Sequence, residues 1–223
     1  MALILNIETS TKTCSVNLSK NGKSLGVNEI TSEKYVHGEK LHLLIKDLFA
    51  SLNLSFKQLD AVGVCAGPGS FTGLRIGVAT AKGLAFGLDI PLISMNSLEI
   101  MINGYHNKSI NNSAIYFPMI DARRKEVFTA GYNSEKKQIT EIACPEINSK
   151  FLKIYEDYQR LYFLGDGALK FKGEFNSKIV EIDISVPNSS TGMAYNTFKK
   201  FKNKEFESIP YFNPYYLKDF FAG

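Results

Sequence analysis

The chain has 223 residues, 44% of them hydrophobic and 22% charged, with a formal net charge of +4. That balance excludes a disordered polar chain and supplies apolar surface for a real core, and the length favours two lobes over one. The charge is too mild to imply nucleic-acid binding by itself, because that function leaves a dense basic stripe.

The apolar start Ala2 to Ile7 is interrupted by Asn6 and followed by Glu8 before it reaches the length of a signal peptide or a membrane span. The expected location is the cytoplasm, with no membrane partner. Cys14, Cys65 and Cys144 are odd in number and far apart, so they resemble neither a disulfide framework nor a zinc site and are expected as buried thiols.

Leu3 to Ile7 has the run of a buried strand, and in Thr13 to Leu18 the residues Cys14, Val16 and Leu18 alternate with polar neighbours as in a half-buried strand. Asn21-Gly22 supplies the positive-φ pair of a tight hairpin, and Ser24 to Ile30 returns as a third strand. From Gly38 to Leu52 the residues Leu41, Leu44, Ile45, Leu48, Phe49 and Leu52 recur at helical spacing. A buried strand follows at Ala61 to Ala66, then a glycine turn, a long helix from Phe71 to Leu88, and a strand at Leu92 to Met95.

After a polar stretch, 103–113, the order starts again with Ile115 to Ile120, Glu126 to Tyr132 and Ile139 to Cys144. A helix near Lys150 to Tyr158 comes next. It is followed by a strand at Leu161 to Leu164, a turn at Gly165-Asp166-Gly167, a strand near Ile179 to Ile182, and a helix near Thr191 to Lys202. Two halves that each begin with a meander and continue through crossover helices predict a duplicated α/β fold. The boundary is placed between 103 and 104, with the last helix able to pack back on the first lobe.

The strongest local feature is Ala66-Gly67-Pro68-Gly69-Ser70-Phe71-Thr72-Gly73-Leu74-Arg75, a glycine-rich turn between a buried strand and a helix. Backbone amides there could hold an anion, yet the run lacks the Gly-Lys-Ser/Thr ending of a P-loop and the Gly-x-Gly-x-x-Gly order of a dinucleotide turn. A sharp structural turn stays an equal alternative. Gly73, Gly77, Ala81 and Ala85 form a stripe of minimal side chains, which implies close approach by another element, either the chain's own sheet or a partner helix.

Glu8, Thr9 and Ser10, with Thr11, sit at the bend between the first two strands and are the candidates for positioning a nucleotide phosphate; satisfying the backbone of a tight turn is the favoured reading. His37 and His42 are five apart and cannot share an ion as an i, i+4 pair does, and His106 has no second partner nearby. No cofactor, metal site or catalytic residue is expected. Lys199, Lys200, Lys202 and Lys204 alternate with Phe198, Phe201 and Phe206 on an expected helix; a solvated face above a packed aromatic one is the favoured reading, and an RNA contact is the alternative.

Several segments resemble one family in identity, order and spacing. They are Ile4 to Ser10, His37-Gly38-Glu39-Lys40-Leu41, Ala66 to Arg75, Asp121-Ala122-Arg123-Arg124-Lys125-Glu126-Val127-Phe128, Gly165 to Ala168, and Pro214-Tyr215-Tyr216-Leu217-Lys218. Together they resemble the TsaB (YeaZ-like) family, with lysine at 218 where the family often has arginine. The resemblance implies an actin-like (ASKHA) α/β fold of two ribonuclease-H-like lobes, the second reduced. It also implies a non-catalytic scaffold for TsaD, the paralogue that adds threonylcarbamoyl to N6 of adenosine 37 in tRNAs reading codons that begin with A.

Partners implied by the resemblance are TsaD in a heterodimer and the ATPase TsaE, with tRNA met only through the complex; the reading allows a homodimer of the free chain. The interface candidates are Leu41, Leu44, Leu48, Thr72, Arg75, Ile76, Ala79 and Gly83, on the two long helices. The alternative function is an independent ATPase or small-molecule kinase of the same fold. A third reading, a glycoprotease, is disfavoured because the sequence contains no Gly-x-Ser-x-Gly elbow and no histidine in a context that nominates it as a base.

Overall fold

The computed structural model describes residues 1–34, 36–106, 113–175 and 179–218. Positions 107–112 of the expected polar connection lie outside the described residues. Contacts divide the chain into one unit of Met1–Ile100 with Asn188–Gly223 and a second of Met101–Pro187. Where the sequence boundary groups 104–223 together, the contacts group Asn188 onward with the first unit.

In the first unit β1 (Leu3–Glu8), β2 (Thr13–Lys20), β3 (Lys23–Thr31), β4 (Ala61–Gly67) and β5 (Leu92–Asn96) form one sheet in the order β3-β2-β1-β4-β5. The three strands of the meander are antiparallel and β4 and β5 are parallel to β1. The hairpin turn has φ 53 at Asn21 and φ 80 at Gly22, the left-handed pair that the sequence calls for.

Helices α1 (His37–Ser51) and α2 (Phe71–Leu88) cover one face of the sheet, where Leu5, Ile7, Val16, Leu18, Val62 and Val64 meet Leu41, Ile45, Leu48, Val78, Ala81 and Ala85. The opposite face is polar and nonetheless buried. Asn6, Ser15, Asn17 and Ser19 have no exposed surface, so β2 is buried on both sides and the half-buried expectation is corrected. The reason lies in the covering segment, a 3-10 helix (Ser190–Met193) and α5 (Ala194–Asn203), which bonds to Asn6 and Ser15, while Asn17 and Ser19 find their hydrogen-bond partners within the sheet. Thr197 Oγ1 donates to Asn6 Oδ1 at 2.8 Å, and Ser15 Oγ lies 2.7 Å from Ser190 Oγ.

The second unit starts with the last turn of α3 (Ser97–Gly104), a helix the sequence reading did not anticipate. Its sheet has the order β7-β6-β8-β9, from β6 (Ala114–Asp121), β7 (Val127–Thr129), β8 (Arg160–Leu164) and β9 (Val180–Asp183). The core is aromatic, with Phe117, Phe151, Phe163 and Phe171 packed together. Ile139 to Cys144 makes only isolated bridges, such as Thr129 with Ala143, and no continuous strand. Helix α4 is confined to Ser149–Ile154, because Tyr155 leaves the helix to place its ring 4.9 Å from that of Phe117. Gly165, at φ 91, opens a 3-10 helix over Asp166–Phe171. Cys14 and Cys65 are buried, while Cys144 is only half-buried.

Candidate functional site

The glycine loop and the end of β1 form one packed assembly. Ser70 caps α2, its Oγ accepting from the Gly73 amide at 3.3 Å, and its own amide donates to the Ser10 carbonyl at 2.7 Å. Glu8 Oε1 accepts from the Ser10 amide at 2.8 Å, and Asn188 Nδ2 donates to Ser10 Oγ at 2.8 Å. Above this turn, a β-carbon on Gly69 would collide with Ser10, and one on Gly73 or Gly77 would collide with Thr9.

The nucleotide candidates Glu8, Thr9 and Ser10 therefore have no exposed surface. Burial pushes the Glu8 carboxyl up to about 7. Its Oε2 and the Thr9 hydroxyl make no hydrogen bond among the described residues. Arg75 is engaged at the surface, its guanidinium 3.9 Å from the centre of the Phe71 ring.

The small-residue stripe has a definite neighbour. Gly73, Gly77, Ala81 and Ala85 are buried and face the chain's own sheet and the Thr9 turn, so close approach within the chain accounts for them. The interface candidates divide accordingly. Thr72, Arg75, Ala79 and Gly83 are exposed along the outer side of α2, and Ile76 and Leu44 are half-buried. Leu41 and Leu48, at 0% and 2% exposure, belong to the core beneath α1 and present nothing to a partner. Their stripe is what holds α1 to the sheet, so these two assignments are corrected.

Two exposed apolar side chains complete the outer surface. Phe86 is 79% exposed on α2 and Leu43 50% exposed on α1. Each stands off the stripe that marks a core face, which is the signal by which the sequence could have flagged them. The C-terminal segment borders the same surface. Tyr215 donates its amide to the Ala66 carbonyl at 2.7 Å, Arg75 Nε donates to the Tyr216 hydroxyl at 3.2 Å, and Lys82 Nζ donates to the Phe212 carbonyl at 3.1 Å.

Of the histidines, His37 is buried with Nε2 3.3 Å from the Thr13 carbonyl, and burial lowers its pKa. No three His, Cys, Asp or Glu side chains among the described residues are grouped to hold a metal ion. No helix among the described residues is long and apolar enough to cross a membrane.

A family model described as TsaD, tRNA N6-adenosine threonylcarbamoyltransferase, matches residues 27–217. The tRNA threonylcarbamoyladenosine biosynthesis protein TsaB of Bacillus subtilis is 33% identical over 167 residues, which cover 73% of this chain and 70% of that protein. The chain belongs to the TsaB, or YeaZ-like, family. The TsaB of Haemophilus influenzae is 29% identical over 83% of this chain and 81% of its own length. That of Escherichia coli is 34% identical over 61% of this chain, a match that spans 57% of the relative.

Among solved structures, YeaZ from Pseudomonas aeruginosa superposes with a TM-score of 0.79 at 22% identity, over 97% of this chain and all of that one. At that identity the likeness concerns the fold. The five-stranded sheet, with its antiparallel meander followed by parallel strands, is the ribonuclease-H-like lobe of the actin-like fold in this TsaB-family chain.

Proposed function

We propose that this chain is a non-catalytic scaffold subunit in the formation of threonylcarbamoyladenosine on tRNA, pairing with TsaD through the outer surface of α1 and α2. The observation that carries the reading is the outer side of α2, where the small residues Thr72, Ala79 and Gly83 are exposed along one line with Arg75 and Phe86. Small side chains let another helix approach closely, and an exposed aromatic at the end of such a surface is a common anchor. The names of the relatives supply the pathway.

The turn at Glu8, Thr9 and Ser10 favours a scaffold over an ATPase or kinase, since the glycine loop packs on it and all three side chains are buried. In this reading TsaD brings the chemistry, TsaE joins the pair, and tRNA is met in the assembled complex. Co-purification with TsaD from native cells, beside calorimetric titration of the chain alone with ATP, tests it. Stable association with no heat from ATP is expected; saturable ATP turnover by the isolated chain would overturn the scaffold reading.

A further inference from the structure

Helix α5 is pinned to the sheet by one side only. Phe198 and Phe201 pack against Ala2, Ile4, Ala61 and Ile93, and Lys200 Nζ donates to the Ser94 carbonyl at 2.9 Å. Tyr195, Lys199 and Lys202 recur at i, i+4 and i+7 and so share the outward face, where Tyr195 is 69% exposed. An amphipathic helix needs polar residues on that face, but it does not need a large aromatic there.

The carboxylates around α5 are engaged with neutral donors. Glu99 Oε1 accepts from Asn196 Nδ2 at 2.8 Å, Glu205 Oε1 from Asn203 Nδ2 at 2.8 Å, and Glu207 Oε1 from the Ser94 hydroxyl. Lys199, Lys202 and Lys204 make no ion pair among the described residues. The tip of the β2–β3 hairpin abuts the same helix: a β-carbon on Gly22 would lie 3.2 Å from Phe198 Cδ1 and 3.5 Å from Tyr195 Cα. That turn brings Lys20 and Lys23, both exposed and likewise without an ion pair among the described residues, to the start of α5.

We propose that the outward face of α5, with Tyr195, Lys199 and Lys202 at its centre, is a contact surface for RNA. Unneutralised lysines in a row complement a phosphate backbone, and an exposed tyrosine among them offers a plane on which an unpaired base stacks. A lipid surface would use the lysines but needs an exposed apolar face to insert, and the outward face of α5 carries Tyr195 alone among lysines. The choice of tRNA as a probe rests on the proposed function, whereas the surface itself does not.

The test is fluorescence anisotropy of the full chain with labelled tRNA and with a labelled single strand of about twelve nucleotides, a length within known site sizes. Lys199→Ala/Lys202→Ala should lower the slope of log affinity against log salt by about 1.4 on the single strand, from about 0.7 per phosphate contact. Tyr195→Ala should weaken binding about fivefold or more. All three side chains are exposed, so melting curves should be unchanged. Absence of salt-dependent binding by the parent chain, or a slope unmoved in the double variant, overturns the proposal. Equal binding to phosphatidylserine vesicles with no effect of Tyr195→Ala also overturns it, in favour of a lipid surface. Titration of the same variants with TsaD separates the two readings: affinity for TsaD should not change, and its loss with RNA binding intact would reassign α5 to the protein interface. If the parent chain fails to bind TsaD but binds RNA as described, the scaffold reading fails and the α5 surface stands.

Discussion

The hydroxyl oxygen of Thr9 occupies the place where a β-carbon on Gly77 would stand. Helix α2 can lie this close to the end of β1 only because position 77 carries no side chain, and Gly73 gives the same clearance to the Thr9 carbonyl.

Gly77→Ala should therefore destabilise the first unit by about 2 kcal/mol, although alanine is the better helix former by about 1 kcal/mol. Gly83, with open space around it, is the control. Gly83→Ala should stabilise by up to about 1 kcal/mol, and urea midpoints for the two variants should move in opposite directions.

Glu8 gives the fold a pH dependence of known sign. Its carboxyl is pushed by burial from 4.5 up to about 7 in the folded chain, so between those values the folded state binds more protons than the unfolded one. Stability then falls as pH rises through that window and levels off above it, by about 3 kcal/mol in all. Glu8→Gln keeps the shape without the charge, and its urea midpoint should lose most of the decline between pH 5 and pH 8. A parallel decline in the variant would place the titrating group elsewhere.

Helix α1 was legible because a single apolar stripe at period 3.6 leaves few alternatives, and α2 starts and ends where the glycine turn and Leu88 place its limits. The second cover of the sheet was not legible. Asn17 and Ser19 look like solvent-facing residues in an alternating strand, and nothing local shows that Asn188 to Asn203 returns from far along the chain to cover that face and bond to Asn6 and Ser15. In the second unit, short strands and isolated bridges such as Tyr132 with Gln138 depend on long-range pairing, and local pattern carries little of that. For the candidate site, the helical stripe that located α1 also marks Leu41 and Leu48 as the residues that hold it down and leaves Leu43 off the core face, a distinction the interface assignment did not use.

The returning segment can be tested at Thr197. Its hydroxyl is fully buried and donates to Asn6 Oδ1 at 2.8 Å. Thr197→Val keeps the volume and removes the donor, which leaves the Asn6 oxygen buried without it. A loss of about 1 to 3 kcal/mol is expected by urea unfolding, and Asn6→Ala/Thr197→Val should cost less than the sum of the two single changes. Additive losses would show that the two side chains are not coupled.

The outer surface of α2 is tested at Ala79. This residue is exposed, one turn after Arg75 and one turn before Gly83, so it stands at the middle of the proposed joint. In the free chain an arginine there extends into solvent, and arginine is a good helix former, so Ala79→Arg should melt within about 0.5 kcal/mol of the parent. In a helix-to-helix joint the same side chain would be forced between packed backbones with its charge unpaired, at a cost of several kcal/mol. Titration with TsaD should therefore show affinity reduced by about a hundredfold or more, and Phe86→Ala should weaken it through loss of an anchor. Unchanged affinity in a folded Ala79→Arg chain would move the interface off α2, while loss of folding would mean that this side of the helix packs within the chain.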